Sequence, residues 1–303
     1  MQRDALLEML CNTSGTLFAV VDAARFDALQ DRLARTELDF DPLYLDEIDA
    51  PTIASGPHLV SIRGSDDIGT LLRLIGNELG CVWWAWPPSS TAKEEIYRHL
   101  RSVNMVEIPT DRVDQDDQVP SQATYEAVLF RHGDPNVMMA TLPLLYAHQI
   151  ARLFGRAEAI IVDAPDYAEP RVFQSPEGLP APSPGMLRIE GQQYDALADL
   201  NSENSRQTAM DGLRECYPEF TRQLDDGALR QIVFDAEQSG IEVGILSEKA
   251  HFYWACMYLL TKGDIREGVP KLAQDFSNLD ISADAAVEAM FVEFQRELER
   301  VAG

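Results

Sequence analysis

This sequence lacks the signatures that mark most enzymes. It has no G-x-S-x-G turn to expose a nucleophilic serine, no Walker A loop, no G-x-G-x-x-G phosphate cradle and no H-E-x-x-H zinc helix. Basic charge is scarce: 25 Lys and Arg stand against 50 Asp and Glu, a formal net charge of −25. Nucleic acid needs Lys and Arg to replace its counterions, so it is a poor partner for such a surface. Anionic membrane is a poor partner for the same reason. The charge suits a soluble chain, or one that shields a basic or apolar partner. Cys11, Cys81, Cys216 and Cys256 contain no C-x-x-C pair. That excludes zinc-finger spacing and a small disulfide scaffold, and predicts buried, reduced thiols in a cytoplasmic protein. No apolar run approaches the roughly 20 residues of a membrane helix. Asp4 and Glu8 stand where a signal peptide would carry its basic region, so none is expected.

What is present is ordinary globular composition, 46% hydrophobic and 25% charged over 303 residues, enough for two lobes. The stretch Phe130–Val137 organises the first of them. Tyr125 to Arg131 reads as a strand, Asp134 as a helix N-cap and Pro135 as the first helical residue. Arg131 lies close enough in sequence to pair with Asp134. The corner serves either as a structural joint or as a recognition surface.

Strand patterns fall at Thr16–Val21, His58–Ile62, Cys81–Trp86, Val103–Pro109 and Ala157–Asp163. Helical patterns follow Ala24, Asp66 or Asp67, Ser90 or Thr91, and Pro135. Residues 39–50 read as acidic and irregular. Cys81–Trp86 is apolar on both faces and belongs in the middle of a covered sheet. The alternation predicts an α/β lobe whose sheet is mixed and mostly parallel, flanked by helices, over residues 1–175. Prolines crowd residues 165–184, so 176–185 reads as an extended linker. Residues 186–303 read as an all-α lobe. In it Asn201 or Ser202 caps a fresh helix, Gly240 closes another, and Ser247 caps the most apolar one.

Candidate chemistry is sparse. His58, His99, His132, His148 and His251 are scattered, and the offset from His251 to Cys256 is wrong for one helix face. Asp114, Asp116 and Asp117 lack the glycine and ligand pattern of a calcium loop. Trp83, Trp84 and Trp86 suit core packing, with Trp84 and Trp86 the alternative partner anchors. No cofactor or metal is called for.

Several segments together resemble one bacterial family. They are Leu17–Ala24, His58–Ile62, Gly80–Pro87, Arg98–Arg101 with Val103–Pro109, Phe130–Val137, and Leu142–Gly155. In order and spacing they are similar to the type VI secretion adaptor-chaperones, over about residues 15–163. Gly133, Asn136 and the acidic insertion at residues 110–122 depart from that pattern. The resemblance implies a non-catalytic cytoplasmic adaptor that binds a toxic effector and promotes its loading onto the VgrG spike protein. Under that reading Arg131 and Asp134 chiefly hold the corner, with exposure to a partner as their second role. An α/β enzyme with its site near Asp22, Pro87 and Arg131 is the first rival reading. A structural component of a secretion assembly is the second.

Overall fold

The computed structural model describes residues 2–44, 50–76, 80–110, 124–165, 167, 169–182, 184–265 and 281–302. The acidic insertion expected at 110–122 therefore lies outside the described residues, apart from Thr110. Two compact units result, Met1–Ala198 and Asp199–Gly303.

The first unit opens with helix α1 (Gln2–Cys11), strand β1 (Thr16–Asp22) and a short α2 (Leu29–Ala34). Next come β2 (Asp39–Pro42), α3 (Ala50–Ser55), β3 (Pro57–Ser61), α4 (Ser65–Ile75) and β4 (Cys81–Trp86). They are followed by α5 (Ala92–Ser102), β5 (Met105–Pro109), β6 (Tyr125–Leu129), α6 (Pro135–Thr141) and α7 (Ala147–Phe154). The unit closes with β7 (Ala159–Val162), β8 (Arg171–Gln174), β9 (Leu187–Arg188) and the start of α8 (Gly191–Cys216).

The main sheet has the order β2-β3-β1-β4-β7-β8, and every neighbouring pair is antiparallel. This corrects the mostly parallel expectation. β1 and β2 run the same way, as do β3 and β4. But β3 is inserted between the first pair and β1 between the second, so no two like-directed strands touch. A second, smaller sheet has the order β6-β5-β9, and β5–β9 is a parallel pair. Residues 39–42, read as irregular, form the edge strand β2.

β4 lies between β1 and β7, with all six residues buried. Its side chains divide by the period of two. Val82, Trp84 and Trp86 join Phe18, Val20, Ile160 and Val162 on one face, beneath Ile96, Leu100, Met138 and Leu153. Cys81 and Trp83 join Ala19, Val21 and Ile161 on the other, beneath Leu6, Leu29, Leu71 and Ile75. A sheet covered on both faces explains an all-apolar strand. Cys81 is buried in this sheet and Cys256 in the core of the second unit, whereas Cys11 and Cys216 are exposed, against the expectation for all four.

The second unit is helical: the rest of α8, α9 (Pro218–Thr221), α10 (Asp226–Glu242), α11 (Glu248–Leu260) and α12 (Ala283–Ala302). Its core gathers Leu213, Leu229, Val233, Trp254, Met257, Val287 and Phe291. Asp225 and Ser247 cap α10 and α11 through backbone N–H groups of Ala228 and Ala250. Asn201 and Ser202 cap nothing. They lie inside the 26-residue α8, where the helical run on both sides overrides two polar residues. Gly240 likewise sits inside α10, which continues to Glu242.

Candidate functional site: the corner at the end of β1

β6 ends at Leu129, and the backbone N–H of Phe130 then donates to Asn104 O at 2.7 Å, fastening the corner to the start of β5. Asp134 is extended (φ −84°, ψ 117°), and its Oδ1 accepts the Asn136 N–H at 2.9 Å, capping α6. Pro135 follows at the first helical position, where a missing N–H leaves nothing unpaired. Gly133 brings the turn against β1: a Cβ there would lie 3.0 Å from Val20 Cγ1.

That approach places the corner beside the last residue of β1. Arg131 Nε donates to Asp22 Oδ2 at 3.0 Å, and its Nη2 lies 3.1 Å from Asp134 Oδ2. Arg25 Nη1 reaches Asp134 Oδ1 at 3.2 Å. Asp22 Oδ1 also accepts the Ala24 N–H at 3.1 Å. The result is an alternating lattice of two arginines and two aspartates. The carboxylates are buried, with side chains 5% and 7% exposed, while Arg131 remains 45% exposed. Each carboxylate is held by a guanidinium and by a backbone N–H, so it braces the turn and the strand end together.

A second polar chain runs beneath. His132 is fully buried, with Nε2 2.7 Å from Asn104 Oδ1, and Asn104 Nδ2 donates to Leu43 O at 2.8 Å. Burial pushes the His132 pKa down to about 3, so the ring is neutral and its Nε2–H donates to the amide oxygen. Leu43 precedes Tyr44, which faces the lattice. Burial and the Asp22 charge raise the Tyr44 pKa, against the opposing pull of Arg131, so the phenol stays protonated. Asp22, Tyr44, Pro57, Leu129, Arg131 and Gly133 line a cleft of about 230 Å³. It presents an exposed aliphatic side chain, a phenol and one face of a guanidinium.

Of the residues singled out by sequence, Arg131 and Asp134 come together here. Trp84 and Trp86 do not. They are 0% and 2% exposed, in the core beneath α5, where both indoles pack against the His99 ring. A partner reaches them only through a change in the fold. Sequence reading missed Arg25, Tyr44, Asn104 and the burial of His132. It named Asp22 as a strand end but not as the partner of Arg131, which lies 109 positions away.

Among the described residues no group of three or more His, Cys, Asp or Glu is placed to hold a metal ion, and no helix is long and apolar enough to cross a membrane. Residues 17–152, just under half of the protein, match the family described as "Domain of unknown function (DUF4123)". No curated protein and no solved structure matches it.

Proposed function

We propose that this protein is a non-catalytic cytoplasmic adaptor that binds a type VI secretion effector and promotes its loading onto the VgrG spike protein. The observation that carries this reading is the match over residues 17–152, because the matched domain is associated with type VI secretion effectors. The physical features agree with it. The cleft at the corner offers recognition groups whose charges are already paired, and the surplus of carboxylates suits a basic or apolar client. Arg131 is the lattice member that reaches a partner. Asp134 orients it, and Trp84 and Trp86 act from the core by holding the sheet.

Co-expression of the tagged protein with its genomic neighbours, then affinity purification and size-exclusion chromatography, tests the reading. A stable complex with a neighbouring toxin, joined by a VgrG fragment, is expected. Arg131→Ala should weaken toxin recovery about tenfold, ~1.4 kcal/mol, with the fold intact. A neighbouring toxin that is soluble and stable alone, beside a protein that purifies alone, overturns it.

A further inference from the structure

Arg152 lies in the last turn of α7 and differs from the arginines of the first unit that sit in ion pairs. Arg25, Arg131, Arg156 and Arg188 each meet a carboxylate. Arg152 is half-buried, yet among the described residues it meets none. Its Nε donates to Gly185 O at 3.0 Å, Nη1 to Ser102 Oγ at 3.1 Å and Nη2 to Ser102 O at 2.8 Å. All three acceptors are neutral. A guanidinium has five N–H groups, so one on each terminal nitrogen has no acceptor among the described residues. Burial lowers its pKa, the mark of a charge that its surroundings do not offset. Arg32 and Arg101 are half-buried too, but each also lies over an aromatic ring, Phe26 and Tyr97.

The surroundings give that charge access. Two clefts, of about 350 and 360 Å³, share Arg152, Pro184 and Gly185, so Arg152 stands where they meet. Both fall within the range of ligand pockets. The second contains no acidic residue: Ala151, Gly155, Pro182 and Pro184 give it apolar or neutral walls. The first contains Glu107 and Glu190, but these are engaged, Glu107 by Arg188 and Glu190 by the Tyr125 hydroxyl at 2.9 Å. His148, one turn before Arg152 on α7, is exposed at the rim.

We infer that the junction of these two clefts is a carboxylate-binding subsite, in which Arg152 takes the carboxylate of a partner peptide whose neighbouring residues are apolar. A single guanidinium with N–H groups to spare matches one carboxylate. The second cleft's walls of proline, alanine and glycine accept an apolar side chain next to that carboxylate, and Met186 and Leu187 offer apolar surface in the first. The carboxylate comes either from the C-terminus of a peptide or from an Asp or Glu side chain. This subsite lies apart from the corner and rests on no part of the adaptor reading.

Isothermal titration of the full-length protein at low salt distinguishes the sources. The probes are acetyl-Ala-Leu-Leu with a free C-terminus, the same peptide amidated, acetyl-Ala-Glu-Leu-amide, and inorganic phosphate. At least one carboxylate peptide should bind about tenfold more tightly than the amidated control, and which one does identifies the source. Arg152→Gln should abolish that preference. Because Arg152 also ties Ser102 to Gly185, a second variant leaves it in place. His148→Glu supplies a carboxylate four residues before Arg152 on an exposed helix face, and this internal competitor should weaken peptide binding about tenfold. Equal binding of all three peptides, binding of phosphate alone, or undiminished binding by a folded His148→Glu protein overturns the inference.

Discussion

The two units are specified by different means. In the first, polar links span long stretches of sequence: Asp22 to Arg131 and Arg25 to Asp134 over 109 positions, Asn104 to Leu43 over 61. Gln149 and Gln193, 44 positions apart, exchange two amide hydrogen bonds of 2.7 Å. Each also accepts the backbone N–H that precedes its own helix, from Tyr146 and Glu190. In the second unit most links are shorter, such as Arg214–Asp226 over 12 positions and Lys249–Glu288 over 39, although Tyr217 reaches Gln295 over 78. Thr221 is its one buried polar residue among those described, against nine in the first. Polar links between elements so far apart in sequence leave few alternative arrangements of those elements. The first unit therefore holds one defined shape around its corner, while the second depends on apolar helix packing and caps.

The sharpest way to break this contrast is to cut the protein where the family match ends. Stopping at Arg152 removes β7, β8 and β9. β4 then loses the partner that pairs Val82–Ala85 with Ala159–Val162, and both cores lose isoleucines at 160 and 161. The expected result is a fragment with no cooperative thermal transition by circular dichroism, whereas a fragment ending at Ala198 keeps one. A cooperative transition in the shorter fragment would show that the sheet beyond β4 is dispensable.

Next in size is the exchange of buried tryptophans. Trp84→Ala should cost about 3–5 kcal/mol in urea unfolding, from lost burial and the cavity left behind. Replacement by phenylalanine separates the two units. Trp84 Nε1 is buried and has no acceptor among the described residues, so Trp84→Phe removes an unpaired donor along with volume. Trp254 Nε1 donates to Ser239 Oγ at 2.8 Å, so Trp254→Phe takes a partner from that hydroxyl. Trp84→Phe should be the milder of the two by ~1 kcal/mol. The reverse order would mean that the indole N–H of Trp84 has found a partner.

These elements differ in how far they could be read from sequence. β4 was legible because six consecutive apolar residues admit few settings other than a sheet centre. The cap at Asp134 and the pairing of Arg131 with Asp134 were legible because both are local. The antiparallel sheet was not: a crossover gives the direction of the strands it joins, not which strand enters between them. The link from Arg131 to Asp22 was hidden for the same reason, as it exists only once β1 and the corner are neighbours. In α8, local capping chemistry at Asn201 and Ser202 predicted a break that the longer helical pattern overrides.

Acid should divide the units as well. His58, His99 and His132, all in the first unit, have pKa values lowered by burial, His132 to about 3. Unfolded, each takes up a proton near pH 6.5; folded, it does so only at lower pH. The unfolded state therefore binds more protons below about pH 6.5, and the first unit loses stability as pH falls from there toward 3. Each such histidine contributes up to about 1.4 kcal/mol per pH unit within that window. Urea unfolding at pH 7 and pH 5 should show the loss, and His132→Asn should shrink it. An unchanged slope in a folded His132→Asn protein would exclude His132 as its source.

The smallest effect tests the other half of the contrast. Ser247 caps α11 through the Ala250 N–H at 3.2 Å, and its own backbone N–H is held by Asp284 at 3.2–3.3 Å. Ser247→Ala removes the cap and leaves the Asp284 link in place, so it should cost ~1 kcal/mol. Asp134 caps α6 in the same manner, but its carboxylate also holds Arg25 and Arg131. Asp134→Asn keeps a cap acceptor and loses the charge that binds both arginines. If caps are interchangeable local devices, the two substitutions cost the same. If the first unit uses its cap as the hinge of a long-range lattice, Asp134→Asn costs clearly more although it keeps the cap, and urea midpoints of the two variants measured side by side decide between these outcomes.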